Sequence, residues 1–237
     1  MDKYFNIMVD LIREYNQRLN EYSNLNFGLD IPLSFKLFDI RLKLANSIDS
    51  MTHFEGYINF DNQYIRSSYT RMIKLMEIWY SYEALLKFTK PNEITKEVKY
   101  KVISNRIFVN AGCEELFENF HRQLIEECRN VNFINDLNRL NLIIQQDSGL
   151  GKTVKTDCER LISSLNNPGE RLSKLEIMAL IYAERNMYIH NGLTPFGNMN
   201  HNNRLFLLDL YTQYLCQYIF KLAIHLLSLR IYERLNN

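Results

Sequence analysis

Three polar residues with clear chemical potential, Arg185, Asn186 and His190, follow an apolar stretch near the end of one predicted helix. An imidazole can exchange a proton near neutral pH, and a guanidinium keeps its charge and matches phosphate oxygens in shape. An asparagine amide both donates and accepts hydrogen bonds. The step from Arg185 to His190 along a helix is a rotation of about 140° and a rise of about 7.5 Å. The two side chains can therefore border one cleft without stacking, and together they predict a site that binds phosphate and moves protons.

The helix that must position these residues has recognisable ends. Ser173 and Glu176 have the spacing of a capping box at its start, and Gly192 suits the left-handed position that follows a helix. Between the two ends, apolar residues recur at helical spacing, namely Leu175, Met178, Ile181, Tyr182 and Ile189. The sequence therefore predicts an amphipathic helix over residues 173–191.

The segment from Arg185 to His190 resembles the Arg-x(4–6)-His motif of the HEPN superfamily, in the variant with asparagine directly after arginine. This resemblance implies an all-α helical bundle of HEPN type. Many HEPN proteins that the chain resembles are metal-independent endoribonucleases of toxin, abortive-infection and CRISPR-associated systems. We therefore expect Arg185, Asn186 and His190 to be catalytic. We expect Lys174, Tyr188 and Asn191 to contact the substrate.

The expected substrate is single-stranded RNA, which carries its own nucleophile in the 2′-hydroxyl group. The enzyme then needs only to move protons and to stabilise the charged transition state, so no metal or other cofactor is expected. The resemblance implies that two motifs face one cleft. The single copy in this chain predicts a homodimer, or pairing with another HEPN domain. An antitoxin or regulatory protein is a further possible partner.

Three alternatives are open at this level. Some HEPN proteins are non-catalytic binding modules that partner a nucleotidyltransferase, but in toxins of that pairing a His-x-Tyr sequence follows, whereas His190 here precedes Asn191 and Gly192. A purely structural helical adaptor would give Arg185 and His190 unrelated positions. Arg185 and His190 can also serve as an intramolecular ion pair or as a helix-end cap, because a cation near a helix C-terminus is favourable.

Composition supports a helical protein of one or two units. Apolar residues make up 46% of the 237 residues, and only 4 prolines and 8 glycines interrupt them. Helical periodicity predicts helices over 4–22, 34–51, 67–88, 97–110, 112–129, 173–191 and 204–234, with two further helices through residues 133–144 and 158–165. We predict that residues 1–60 are an N-terminal helical extension packed on a HEPN-like domain of residues 61–237, unless the two form one continuous domain. The last helix is apolar enough to be either central or part of a subunit interface.

Several other classes of protein are disfavoured. The net charge of +1 gives no overall basic field for coating nucleic acid. We expect a cytoplasmic protein, because no apolar run reaches the roughly 20 residues of a membrane span, no signal peptide is recognisable, and the four cysteines are scattered. Gly151-Lys152-Thr153 resembles part of a phosphate-binding loop, but Gln146 occupies the position of its first glycine, so we predict a helix–helix turn there.

Overall fold

Nine α-helices account for the secondary structure in a computed structural model, which describes residues 2–25, 32–48, 63–89, 100, 105–166, 174–191 and 199–236. They are α1 (Asp2–Leu25), α2 (Leu33–Ser47), α3 (Gln63–Thr89), α4 (Asn105–Asn110), α5 (Cys113–Glu127), α6 (Val131–Gln146), α7 (Lys152–Asn166), α8 (Lys174–Asn191) and α9 (His201–Leu235). No strand occurs in these ranges. The predicted all-α helical bundle is confirmed.

Helix α9 forms the centre of the bundle. Its apolar residues point in every direction, and side chains from all around the helix, such as Leu207, Leu208, Leu210 and Leu227, are buried. They pack against α1, α3 and α5. Burial on this scale is the main favourable contribution to folding, at about 25 cal/mol per Å² of apolar surface. The apolar surface that predicted a central or interfacial helix is therefore used within the chain along most of α9.

The two N-terminal helices pack on this centre, α1 against α9 and α2 against α3. Helix α2 contributes Phe35, Phe38, Leu42 and Ala45 to the same apolar core that contains α3 and α9. The predicted domain boundary near residue 60 lies outside the described residues, so the division of the chain into 1–60 and 61–237 stays a prediction.

Helix α8 is more deeply buried than an amphipathic helix. Every side chain over residues 177–187 is buried except Tyr182, which is partly exposed. Helix α7 packs along it most extensively, and α3, α6 and α9 supply further contacts. The sequence predicts that the helix over 173–191 packs between the helices over 67–89 and 204–234. Helix α8 contacts both α3 and α9, but its closest partner is α7, the helix that precedes it in the sequence. The predicted capping residue Ser173 and the terminating Gly192 lie outside the described residues.

The connection that contains Gly151 joins two helices, because α6 ends at Gln146 and α7 begins at Lys152. Asp147 stabilises the turn by accepting a hydrogen bond from the Gly149 amide at 2.6 Å. The predicted helix–helix turn is confirmed. Of the helix predicted over 97–110, residues Asn105–Asn110 form α4, and residues 97–99 and 101–104 lie outside the described residues.

None of the helices in the described part of the chain combines the length and the apolar character needed to cross a lipid bilayer.

Candidate active site

The Arg185 side chain is directed into the bundle rather than toward solvent. It is 8% exposed, and its guanidinium carbon lies 5.2 Å from the centroid of the Tyr80 ring on α3. Its Nη1 donates a hydrogen bond to Oδ1 of the neighbouring Asn186 at 2.7 Å. The two adjacent residues therefore act as one unit, in which the asparagine holds the guanidinium against α3.

No carboxylate neutralises Arg185 among the described residues, and its buried Nε has no hydrogen-bond partner there. Both features are unusual, because a buried charge is normally paired and a buried donor is normally satisfied. The intramolecular ion pair considered above for Arg185 is therefore not formed within the described ranges. A buried, uncompensated cation of this kind is a candidate binding site for an anion.

The carboxylate nearest in sequence, Glu184, serves a different purpose. It forms an ion pair with Arg204 of α9, and the two side chains are 0% and 6% exposed. Its other oxygen accepts a hydrogen bond from the Tyr211 hydroxyl at 2.8 Å. Burial and the nearby Glu184 charge raise the pKa of Tyr211 well above its ordinary value, so the phenol stays a donor. This cluster joins α8 to α9 immediately beside Arg185.

His190 lies in the last turn of α8 and is exposed. No contact between His190 and Arg185 or Asn186 is present. This separation follows from the helix itself, since five residues correspond to about 140° of rotation and about 7.5 Å of rise. The structure therefore presents a buried guanidinium and an accessible imidazole one and a half turns apart. A ligand that uses both must extend from the helix end toward α3.

Tyr188 lies on the same side of α8 as Arg185 and also faces α3. Its ring is edge-on to that of Tyr69, with the centroids 6.3 Å apart. Burial, and to a lesser degree Tyr69, raises the pKa of Tyr188 above its ordinary value. The side chain is only partly exposed, so it can border the site without projecting freely into it.

Of the two remaining predicted substrate contacts, Lys174 is not brought into this group. Lys174 is the first residue of α8, sixteen residues before His190, which corresponds to about 24 Å along the helix. Its ammonium group lies over the Phe108 ring at 3.9 Å from the centroid, and burial lowers the pKa of Lys174. The side chain of Asn191 lies outside the described residues, so its predicted contact stays a prediction.

Sequence reasoning did not identify Tyr80, Arg41 or the role of Glu184. Arg41 of α2 lies over the Tyr80 ring at 4.8 Å from its centroid. No sequence signal connects Arg41 with Arg185, because they belong to different helices far apart in the chain. A signal did exist for Glu184, since it follows Ile177 and Ile181 at spacings of seven and three residues and so falls on a buried stripe.

A groove in the described part of the chain lies elsewhere. It has a volume of about 420 Å³ between α1, α5 and α9, and residues such as Leu116, Gln213 and Gln217 line it. None of its lining residues belongs to α8. Its one charged lining residue, Arg122, is exposed and donates a hydrogen bond to Asn119 at 2.6 Å, so the buried Arg185 is the stronger candidate for binding an anion.

Comparison of the chain with protein-family models, with curated proteins and with solved structures found no match in any of the three. The functional argument therefore rests on the residues of this chain and on their geometry.

Proposed function

We propose that this protein is a metal-independent endoribonuclease that cleaves single-stranded RNA by attack of the 2′-hydroxyl group on the adjacent phosphate. The observation that carries the proposal is Arg185, a buried cation that has no carboxylate partner and an unsatisfied Nε within the described ranges, on the same helix as the exposed His190. A phosphodiester supplies the missing negative charge, and its oxygens can accept hydrogen bonds from the unused N–H groups of Arg185.

In this cleavage reaction, His190, Arg185 and Asn186 each have a separate role. His190 accepts the 2′-hydroxyl proton as the new O2′–P bond forms. Arg185 stabilises the additional negative charge on the phosphorus centre, and Asn186 keeps the guanidinium in place through its 2.7 Å hydrogen bond. When the P–O5′ bond breaks, the leaving oxygen takes up a proton. The products are a 2′,3′-cyclic phosphate and a 5′-hydroxyl end.

Protonation of the leaving group requires an acid in addition to the base that His190 provides. A second motif supplied by another copy of the chain meets this requirement, which supports the expected homodimer. The last helix was the expected docking surface, and Leu229, Tyr232 and Leu235 near its end are exposed, but most of its apolar surface packs inside the bundle. Helix α2 offers a different one. Its outward side exposes Leu33 (71%), Leu37 (44%), Ile40 (60%) and Leu44 (48%).

These four residues, which we call the α2 stripe, have the 4-3-4 spacing of a coiled-coil seam, the pattern that pairs with another helix of its own kind. Arg41, which reaches Tyr80 beside Arg185, is next to Ile40 in this stripe. A second copy docked on the α2 stripe would therefore lie close to the proposed site. We place the dimer contact here.

The α2 stripe also favours a second candidate function, a helical module that binds another protein without catalysis. A binding module explains the exposed apolar surface of α2, but it does not explain why the Arg185 charge is uncompensated. Catalysis is therefore the better-supported proposal, and an antitoxin, a regulatory protein or a nucleotidyltransferase is the partner class that the second candidate implies.

Cleavage of single-stranded RNA in the presence of EDTA tests the proposal. We expect cleavage that leaves 2′,3′-cyclic phosphate ends, and a loss of about 10²–10⁴-fold in rate for His190→Ala. The matched control is His121→Ala on α5, a partly exposed histidine remote in sequence from the motif, which should leave the rate unchanged. Undiminished cleavage in His190→Ala would show that the assignment is wrong.

A further inference from the structure

Two arginines from different helices converge on one aromatic ring. The guanidinium carbons of Arg41 on α2 and Arg185 on α8 lie 4.8 and 5.2 Å from the centroid of Tyr80 on α3. The two cations can therefore be no farther apart than the sum of these distances. Each gains a cation–π contact with the ring. Two positive charges this close nevertheless repel each other unless negative charge compensates them.

The described residues supply only part of that negative charge. Arg41 forms an ion pair with Glu77 through Nη1, at 2.7 Å, whereas Arg185 has no carboxylate partner. Glu77 lies one helical turn before Tyr80 on α3, so the group of Arg41, Glu77, Tyr80 and Arg185 has a net charge of +1. A bound anion would neutralise this remaining positive charge.

The two arginines differ in their exposure to solvent, so they can contact adjacent groups of one ligand. The Arg185 side chain is almost fully buried, whereas that of Arg41 is 40% exposed. A guanidinium has five N–H donors, and Arg41 directs one nitrogen to Glu77. Because Arg41 is partly exposed, its remaining donors are available to a ligand that lies near the Tyr80 ring. An extended chain of phosphates can contact Arg185 at the inner position and Arg41 at the outer one.

We propose that Arg41 is a substrate-binding residue that holds a phosphodiester group adjacent to the one bound by Arg185. This inference rests on the proposed function for the identity of the ligand as single-stranded nucleic acid. It goes beyond that function by extending the site from the motif on α8 to a residue on α2. Glu77 positions the Arg41 guanidinium and competes with the phosphate for it.

Binding of a short single-stranded DNA oligonucleotide tests this role separately from catalysis, because DNA lacks the 2′-hydroxyl group and cannot be cleaved by the proposed route. We expect Arg41→Gln to weaken binding by about tenfold, the effect of losing one charged hydrogen-bonding contact. The dependence of log K on log salt should also become shallower by about 0.7, the contribution of one phosphate contact on a single strand. Arg41→Lys should restore the salt dependence, because it restores the charge.

Two further variants separate binding from structure. Lys43→Gln removes the same charge from the same helix, but Lys43 pairs with Asp39 and is 64% exposed, so binding should change less than twofold. Glu77→Gln removes the ion pair but keeps Arg41, so binding should be unchanged or tighter. If Glu77→Gln weakens binding as much as Arg41→Gln does, the pair is structural and the inference is overturned.

The remaining outcomes are equally informative. Equal effects of Arg41→Gln and Lys43→Gln, or no oligonucleotide binding by the unaltered protein, would overturn the inference. If RNA is cleaved, Arg41→Gln should raise KM with little change in kcat, whereas His190→Ala should lower kcat. If DNA binding depends on Arg41 but no RNA is cleaved, the proposed function fails and the phosphate-binding role stands.

Discussion

Glu184 and Arg204 form an ion pair in the interior of the bundle, with the two side chains 0% and 6% exposed, while the next residue, Arg185, has no carboxylate partner among the described residues. Glu184 and Arg185, which are neighbours on one helix, therefore differ in whether an opposite charge compensates them. One charge is fully compensated and joins α8 to α9. The Arg185 charge is held beside Tyr80 without such compensation. Burying an unpaired charge destabilises the unliganded protein, but it provides a positive charge that can bind an anion.

The Glu184–Arg204 pair should be essential for stability. Glu184→Gln removes the charge that forms the buried ion pair with Arg204 and weakens the Tyr211 hydrogen bond, so we expect a loss of about 3–5 kcal/mol in the free energy of unfolding. Urea denaturation measures this value. Glu126→Gln, on the exposed side of α5, is the control and should change stability by less than about 0.5 kcal/mol. Similar values for the two variants would contradict the pairing described here.

The same substitution at the two buried arginines should have different consequences. Arg204→Met leaves Glu184 as an unpaired buried charge and should cost about 3–5 kcal/mol. Arg185→Met removes an uncompensated charge and keeps an apolar side chain at the same position. The free energy of unfolding should therefore rise, or stay within about 1 kcal/mol of that of the unaltered protein. RNA cleavage should fall by about 10²–10³-fold in Arg185→Met.

Thermal or urea denaturation of the two methionine variants provides the comparison, with cleavage assays in parallel. Equal destabilisation would show that Arg185 has a stabilising partner, and the anion-binding argument would lose its basis. Retained cleavage in Arg185→Met would remove the catalytic role of this residue.

The α2 stripe should control assembly. We expect the protein to be a dimer by light scattering, and we expect Leu37→Asp with Ile40→Asp to convert it to a monomer, because charges replace apolar contacts at the centre of the seam. The control pair is Val131→Asp with Leu142→Asp, at residues of α6 that are 69% and 60% exposed. The control variant should remain a dimer. A monomer at every concentration of the unaltered protein would exclude the proposed dimer.

The four cysteines should be unreactive in the native protein. All four are free and buried, and burial raises the pKa of Cys113 and Cys216 to about 12 and that of Cys128 to about 11. Burial also raises the pKa of Cys158. Because the thiolate is the reactive form, alkylation should be negligible under native conditions at neutral pH and complete after denaturation. Mass spectrometry counts the modified thiols. Rapid native labelling at any of the four would contradict the packing around it.

Stability should decrease in mildly acidic solution. Burial lowers the pKa of His121, His201 and His225 below the ordinary value of 6.5, and at His201 the Arg71 charge adds to the effect. The unfolded chain then binds protons more readily than the native protein, so the stabilising contribution is complete above pH 6.5 and is lost as pH falls through the lower native values. Urea midpoints across this range measure the slope.

A variant with one of these histidines replaced should respond less to acid. His225→Gln removes one of the three groups, so the decrease in urea midpoint with falling pH should be shallower than in the unaltered protein. An unchanged slope would show that His225 titrates alike in the native and unfolded states.

Local pattern determined which segments are helical. The period of apolar residues in α1, α5 and α6, together with the scarcity of glycine and proline, is sufficient because helix formation depends on neighbours three and four residues away. The chemical types of Arg185, Asn186 and His190, and their spacing along one helix, are likewise properties of the sequence alone.

The surroundings of those residues depended on tertiary structure. Whether α9 is central, which helix packs along α8, and which carboxylate pairs with Arg204 all depend on the relative rotation and displacement of helices, which local periodicity does not specify. Arg41 and Arg185 meet at Tyr80 only because α2 and α8 both reach the same part of α3. The sequence alone determined that residue 185 is an arginine on a helix, and the packing of three helices placed it beside Tyr80 with no carboxylate partner in the described part of the chain.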